Sequence, residues 1–171
     1  MDGRLTSGRI VETEAYHGAE DRASHARAGL TRRTQTMHGP VGHAYVYLVY
    51  GMHYCLNVVA RAQAAVAGAV LVRALEPVDG VEVMRLRRGR SADPDHRLCA
   101  GPARLTQALA IDRTLDGHDL TTGADLWLAG GGPRPGESVG TGPRVGIGYA
   151  GEDWSARPWR FWLAGNRSVS R

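Results

Sequence analysis

From residue 4 to residue 16 polar and apolar positions alternate with the two-residue period of a strand. Ile10, Glu12, Glu14 and Tyr16 fall on one face and Val11, Thr13 and Ala15 on the other. Two carboxylates thereby share a face with a tyrosine. Residues 17 to 43 lose the period and become polar, glycine-containing and rich in arginine and histidine, which predicts a long functional or mobile loop with one helical turn at most. Strands follow over 44–50 and 53–60, joined as a hairpin at Gly51-Met52, and a third runs over 68–75. A helix is expected after Pro77 to about residue 88, ending in RLRRGR, and another after Pro102 as ARLTQALAI. The stretch 130–143, GGGPRPGESVGTGP, reads as a flexible excursion before two last strands, RVGIGYAG and WRFWLAG. Strands and helices do not alternate as βαβ units, so the expected class is α+β, one domain over 1–171 with a mostly antiparallel sheet, flanking helices and a protruding hairpin.

Composition changes this picture in two ways. All 21 basic residues are arginine, no lysine occurs, and the net charge is +4. An excess of arginine on a chain of ordinary hydrophobic content suggests an anionic partner, nucleic acid first, although GC-rich coding also favours arginine over lysine. Without lysine the only amine is the terminal one of Met1, so chemistry through a Schiff base has almost no nucleophile to use. Cys55 and Cys99 sit in apolar or Gly-Pro surroundings with no second thiol at a metal-ligand spacing, and read as inert, buried thiols of a reducing compartment. No signal peptide or membrane span is read from the N-terminus or the apolar runs, which predicts a soluble intracellular protein.

The hairpin stretch YVYLVYGMHYCLN carries Tyr45, Tyr47, Tyr50 and Tyr54, four of the six tyrosines. A single tyrosine in a strand is ordinary core material. Tyr50, however, sits at the turn beside Gly51 and Met52, where burial is least available and a ring meets solvent or a partner. On a basic protein, a β-ribbon with an aromatic tip suits the DNA minor groove, where a wedged side chain holds open a vacated space and further rings stack on a base. Glu12 and Glu14 lie in a half-apolar strand, where a carboxylate costs free energy unless paired or used. For Glu12 an arginine salt bridge is the expectation. A carboxylate that activates water must be partly desolvated and within hydrogen-bond reach of it. Asn57 and Arg73 also intrude on apolar strands, and anchoring explains such residues about as often as function does.

The runs GRIVETEAYHGAEDRASHA, TRRTQTMHGPVGHAYVYLVYGMHYCLNVV, VLVRALEP, RLCAGPARLTQALAID and GPRVGIGYAG together resemble the 3-methyladenine DNA glycosylase family of the alkyladenine type, in order and over nearly the whole chain. The resemblance implies a single-domain mixed fold around a curved antiparallel sheet. It also implies flipping of damaged purines from double-stranded DNA and hydrolysis of the N-glycosidic bond in base-excision repair, by a monomer without cofactor, metal or membrane. By it, Glu14 is the general base, assisted by Arg73 and the backbone at Val145, and Tyr50 is the wedge. Tyr16, His25 and Tyr47 line the base pocket, and Asn57 at its floor opposes the 2-amino group of guanine. Thr31, Arg33, Met52, His53 and Gly146 contact DNA. The implied setting is the bacterial cytoplasm at the nucleoid, or a eukaryotic nucleus. Met37-His38-Gly39 departs from the family's Met-Phe-Gly, His53 stands where some members carry tyrosine, and the chain begins later than is typical, which implies a lost or misassigned N-terminal helix and strand and a cost in stability.

Three rival readings lead elsewhere. A metalloenzyme would draw on His38, His43 and His53 with Glu12, but neither HExxH nor the zinc-deaminase pattern occurs. The run GIGYAG, 146–151, fits the dinucleotide-binding GxGxxG but is followed by too little chain to complete a βαβ unit. A non-catalytic damaged-DNA-binding module would use the same basic surface and wedge without Glu14.

Overall fold

The computed structural model describes residues 3–170. Six strands, β1 (Ser7–His17), β2 (Ala44–Val49), β3 (His53–Val59), β4 (Gly68–Asp79), β5 (Val139–Gly142) and β6 (Arg160–Leu163), form one sheet in the order β2-β3-β4-β1-β6-β5. Every neighbouring pair is antiparallel, as the absence of βαβ alternation predicts. The five α-helices are α1 (Gln35–His38), α2 (Val81–Arg88), α3 (Asp95–Leu98), α4 (Pro102–Ala108) and α5 (Glu152–Ala156).

Strand alternation sorts the side chains to two faces. Ala44, Val46, Leu56, Val72 and Leu75 turn toward Met84 of α2, Leu98 of α3 and Leu105 and Ala108 of α4, forming the main core. Tyr45, Val59 and Ala69 turn the other way and are covered by Ala26 and Met37 from the segment 17–43. That segment is therefore an ordered, packed cover rather than a mobile loop, with a 3-10 turn at His25–Ala28 and α1 within it.

Three sequence expectations need correction. β4 continues through Pro77 to Asp79, where a proline is tolerated near the strand end, and helix α2 starts only after Gly80. Gly80 has φ 69°, and a Cβ there would lie 2.4 Å from the Leu5 carbonyl oxygen, so the strand-to-helix corner requires glycine. RVGIGYAG is not a strand: Gly146 and Gly151 take positive φ, and residues 148–150 form a 3-10 turn. The excursion 130–143 contains a true strand, β5, paired with β6, and is tied to β1 by Glu137, which accepts from Arg9.

Candidate active site

β1 sets the geometry of the site. Its register against β4 slips between Ile10 and Thr13, a bulge that buries both Val11 and Glu12 and interrupts the simple alternation expected there. Beyond the bulge, Glu14 pairs with Leu71 and Tyr16 with Ala69. Glu12 and Glu14 both reach Arg73 of β4, so the two carboxylates share one side as the sequence period predicts.

Their environments differ. Glu12 accepts from Arg73 Nε at 2.9 Å, Arg160 Nε at 2.7 Å and the Ser170 amide at 2.6 Å. Burial alone would raise its pKa, but the Ser170 and Arg160 hydrogen bonds and the Arg73 charge outweigh it and hold the carboxyl below its usual range. Glu12 is thus a structural anion, as expected. Glu14 is 0 % exposed. Its Oε1 accepts from the Val145 amide at 2.7 Å and faces Arg73 Nη1 at 3.2 Å, while Oε2 accepts from the Tyr16 hydroxyl at 2.9 Å. A carboxylate has about four lone-pair sites. Three are directed at these donors, and the one left on Oε2 can take a proton.

Above this pair lies a cleft of about 930 Å³ lined by Tyr16, His25, Arg33, Tyr47, Tyr50, His53, Cys55, Leu71, Arg73, Val145 and Gly146, among others. The ring of His25 meets that of Tyr47 edge-on at 4.5 Å, and Tyr47 lies 5.3 Å from Tyr45. Burial and the nearby Arg33 cation push His25 down to about 4, so its ring is neutral at pH 7. Arg33 Nη2, which can only donate, lies 3.4 Å from His25 Nε2, so Nδ1 carries the hydrogen and donates to the Tyr45 hydroxyl at 2.9 Å. Burial raises the phenols of Tyr16 and Tyr47 far above their ordinary range, with the Glu14 charge adding to the first and the Cys55 thiol to the second. The cleft therefore offers uncharged aromatic walls beside one buried carboxylate.

The hairpin tip is built against backbone preference. Met52 donates its amide to the Val49 carbonyl at 3.2 Å, closing a turn whose central residues Tyr50 and Gly51 both have positive φ, 53° and 69°. Asparagine or glycine is usual at the first of these positions, and a bulky ring there is a strained choice. The result is a tyrosine 85 % exposed at the cleft edge, with Met52 exposed beside it. The turn thus begins one residue earlier than the sequence reading placed it.

The remaining expected residues are less uniformly gathered. Asn57 is buried, pairs in register with both Tyr45 and Leu71, and donates Nδ2 to the Tyr45 carbonyl, so it lies behind the cleft lining rather than on it. Thr31 is exposed and its hydroxyl and amide are engaged with Thr34, outside the cleft lining. His53 carries a buried Nδ1 with no partner. Sequence reasoning missed the far wall: His96, Arg97, Arg104 and Arg167 from α3, α4 and the C-terminal segment also line the cleft, and among the described residues no Asp or Glu does. It also missed the buried pair Asp21–Arg144, whose members stand 123 positions apart and carry no local signal. Among the described residues no three His, Cys, Asp or Glu side chains converge as metal ligands, and no helix is long and apolar enough to cross a membrane.

The family model described as methylpurine-DNA glycosylase (MPG) matches residues 1–167. Among similar curated proteins, a candidate 3-methyladenine DNA glycosylase of Carboxydothermus hydrogenoformans is 50% identical over 99% of this chain and 85% of its own. One of Anaeromyxobacter dehalogenans is 52% identical over all of this chain and 74% of its own. The DNA-3-methyladenine glycosylase of Homo sapiens is 44% identical over 99% of this chain and 58% of its own. A buried carboxylate under an aromatic cleft with an arginine rim agrees with that match, and the chain belongs to the methylpurine-DNA glycosylase family.

Proposed function

We propose that the protein is a monofunctional DNA glycosylase that takes alkylated or deaminated purines, of the 3-methyladenine, 7-methylguanine, hypoxanthine or ethenoadenine type, out of duplex DNA and hydrolyses their N-glycosidic bond. The observation that carries this reading is Glu14, fully buried, fixed by three donors and placed beside an aromatic cleft. Water attacks C1′ of the sugar, Glu14 takes the water's proton on Oε2, and the bonding pair leaves with the purine nitrogen. A cationic alkylated purine departs readily, whereas a neutral lesion needs a proton from elsewhere. Arg73 and the Val145 amide hold the carboxylate in place and oriented.

The purine stacks among Tyr16, His25 and Tyr47, and Tyr50 fills the gap it leaves in the duplex. Asn57, one residue layer behind the cleft, discriminates against the guanine 2-amino group through the position it gives Leu71 and Tyr45. The rim arginines meet phosphates, Arg33 together with Gly146 and His53 on the near side, with Thr31 and Met52 flanking the strand. Flipping costs a few kcal/mol, least for damaged or mispaired bases, so selection begins before the pocket is reached. With no lysine in the chain, the product is an intact abasic strand rather than a nicked one.

End-labelled duplexes carrying one hypoxanthine or one ethenoadenine, together with randomly methylated DNA, test the reading. Strand breaks that appear only after alkali are expected. Tight lesion binding without any excision would make the protein a damage-binding module instead.

A further inference from the structure

Arg144 is 4 % exposed and outside the cleft lining, yet it ties the loop before Val145 to β1 and to the segment that carries His25. Its Nη1 donates to Asp21 Oδ2 at 2.5 Å and to the Ala15 carbonyl, between Glu14 and Tyr16, at 2.9 Å; its Nη2 donates to Asp21 Oδ1 at 2.9 Å. Asp21 in turn accepts from the amides of His17 and Ala23, pinning the start of the segment that carries His25. The guanidinium lies 4.7 Å from the centre of the Tyr16 ring and 5.0 Å from that of Trp159. The next residue, Val145, gives its amide to Glu14.

Stability alone does not account for this arrangement. A buried ion pair is often replaceable by apolar side chains at no loss, and Arg144 Nε is left buried without a partner. What the pair provides is position. Its fork fixes the 144–147 loop to β1 at the one place where that loop's amide meets the carboxylate, and its planar cation backs the tyrosine that would stack on a base.

We infer that Asp21–Arg144 is a positioning pair for the active site, holding the Val145 amide on Glu14 and the Tyr16 ring in plane, and so setting where the Glu14 carboxylate stands toward the attacking water. This rests on Glu14 being the base of the reaction proposed above. The other groups that face Glu14 are Arg73 from β4, Tyr16 and, through Arg73, Glu12 from β1, Arg160 from β6, Cys55 from β3 and Tyr149 from the loop after β5. Arg144→Lys leaves all of them in place, keeps the charge and removes the fork.

In Arg144→Lys, lesion-duplex affinity should stay within a few-fold of wild type while the single-turnover excision rate falls about tenfold or more. The Val145 amide proton, followed by NMR, should move upfield as its hydrogen bond to Glu14 lengthens. A role in folding alone would reduce the active fraction and leave the rate and the Val145 amide shift of the remaining enzyme unchanged. Should Arg144→Lys fail to fold, Asp21→Asn, which keeps the shape and one of the two amide bonds, is read the same way. The Val145 amide shift needs no excision and separates the two claims. A wild type that removes no lesion sinks the functional reading, whereas a Val145 amide shift unmoved in the folded variant overturns the positioning role.

Discussion

Tyr50 and His25 show what individual side chains contribute that their residue types do not announce. An aromatic ring held at φ 53° and 85 % exposed is neither good turn chemistry nor core packing, and the wedge role proposed for it would give both departures a purpose. Tyr50→Ala should weaken capture of the extrahelical base, seen as a smaller fluorescence rise from 2-aminopurine placed beside the lesion; an unchanged rise would put the wedge elsewhere. His25 has its pKa lowered to about 4 by burial first and by Arg33 second. Its ordinary value is about 6.5. Between those values the unfolded chain binds the proton more readily than the folded one, so stability rises with pH. The contribution is complete above about 6.5 and is lost as pH falls toward 4. Denaturant midpoints measured across this window should show a decline on acidification that His25→Phe reduces. The tyrosine tip was legible in the sequence because position and bulk disagree. The neutral state of His25 was not, because it depends on Arg33 and Tyr45 closing around the ring.

Strand β1 was the most readable element and also the one where reading was incomplete. Its period put both glutamates on the side of Tyr16, and the arginine partner expected for Glu12 proved to be two, Arg73 and Arg160. The bulge that buries Val11 and Glu12 together is a pairing feature of two strands and leaves no mark in either one. Glu12→Ala should cost about 3–5 kcal/mol, since it removes the buried counter-charge that Arg73 and Arg160 share. Chemical denaturation measures this directly, and a loss below about 1 kcal/mol would mean that solvent or Glu14 takes over the arginines. RVGIGYAG misled for the opposite reason. Its alternation of Val145, Ile147 and Tyr149 is that of a strand, but Gly146 and Gly151 at positive φ turn it into the loop that delivers the Val145 amide to Glu14. The segment 17–43 reads as polar and loose, yet Ala26 and Met37 make it the cover of one sheet face.

The molecule as a whole is a sheet with α2, α3 and α4 packed on one face and the segment 17–43 on the other, and a basic, aromatic cleft lined by residues of both. Composition announced the anionic partner, but only the fold shows that Arg33, Arg73, Arg97, Arg104 and Arg167 gather around one opening with no acidic side chain among its lining residues. If about 3–5 phosphates are neutralised there, lesion-duplex affinity should fall about 40- to 500-fold between about 50 and 200 mM salt. A slope near zero in a log–log plot would remove the cleft from consideration as the DNA seat. Everything in the account converges on one carboxylate, buried, held by Arg73, Tyr16 and the Val145 amide, and left with a single open site. The most direct measurement compares wild type with Glu14→Gln on one lesion duplex, following binding and single-turnover excision together. The substitution preserves shape and removes the proton acceptor, so affinity should stay within a few-fold while excision falls by about 10²–10⁴. Excision at the wild-type rate by Glu14→Gln would contradict the account, since the attacking water would then owe its activation to another group.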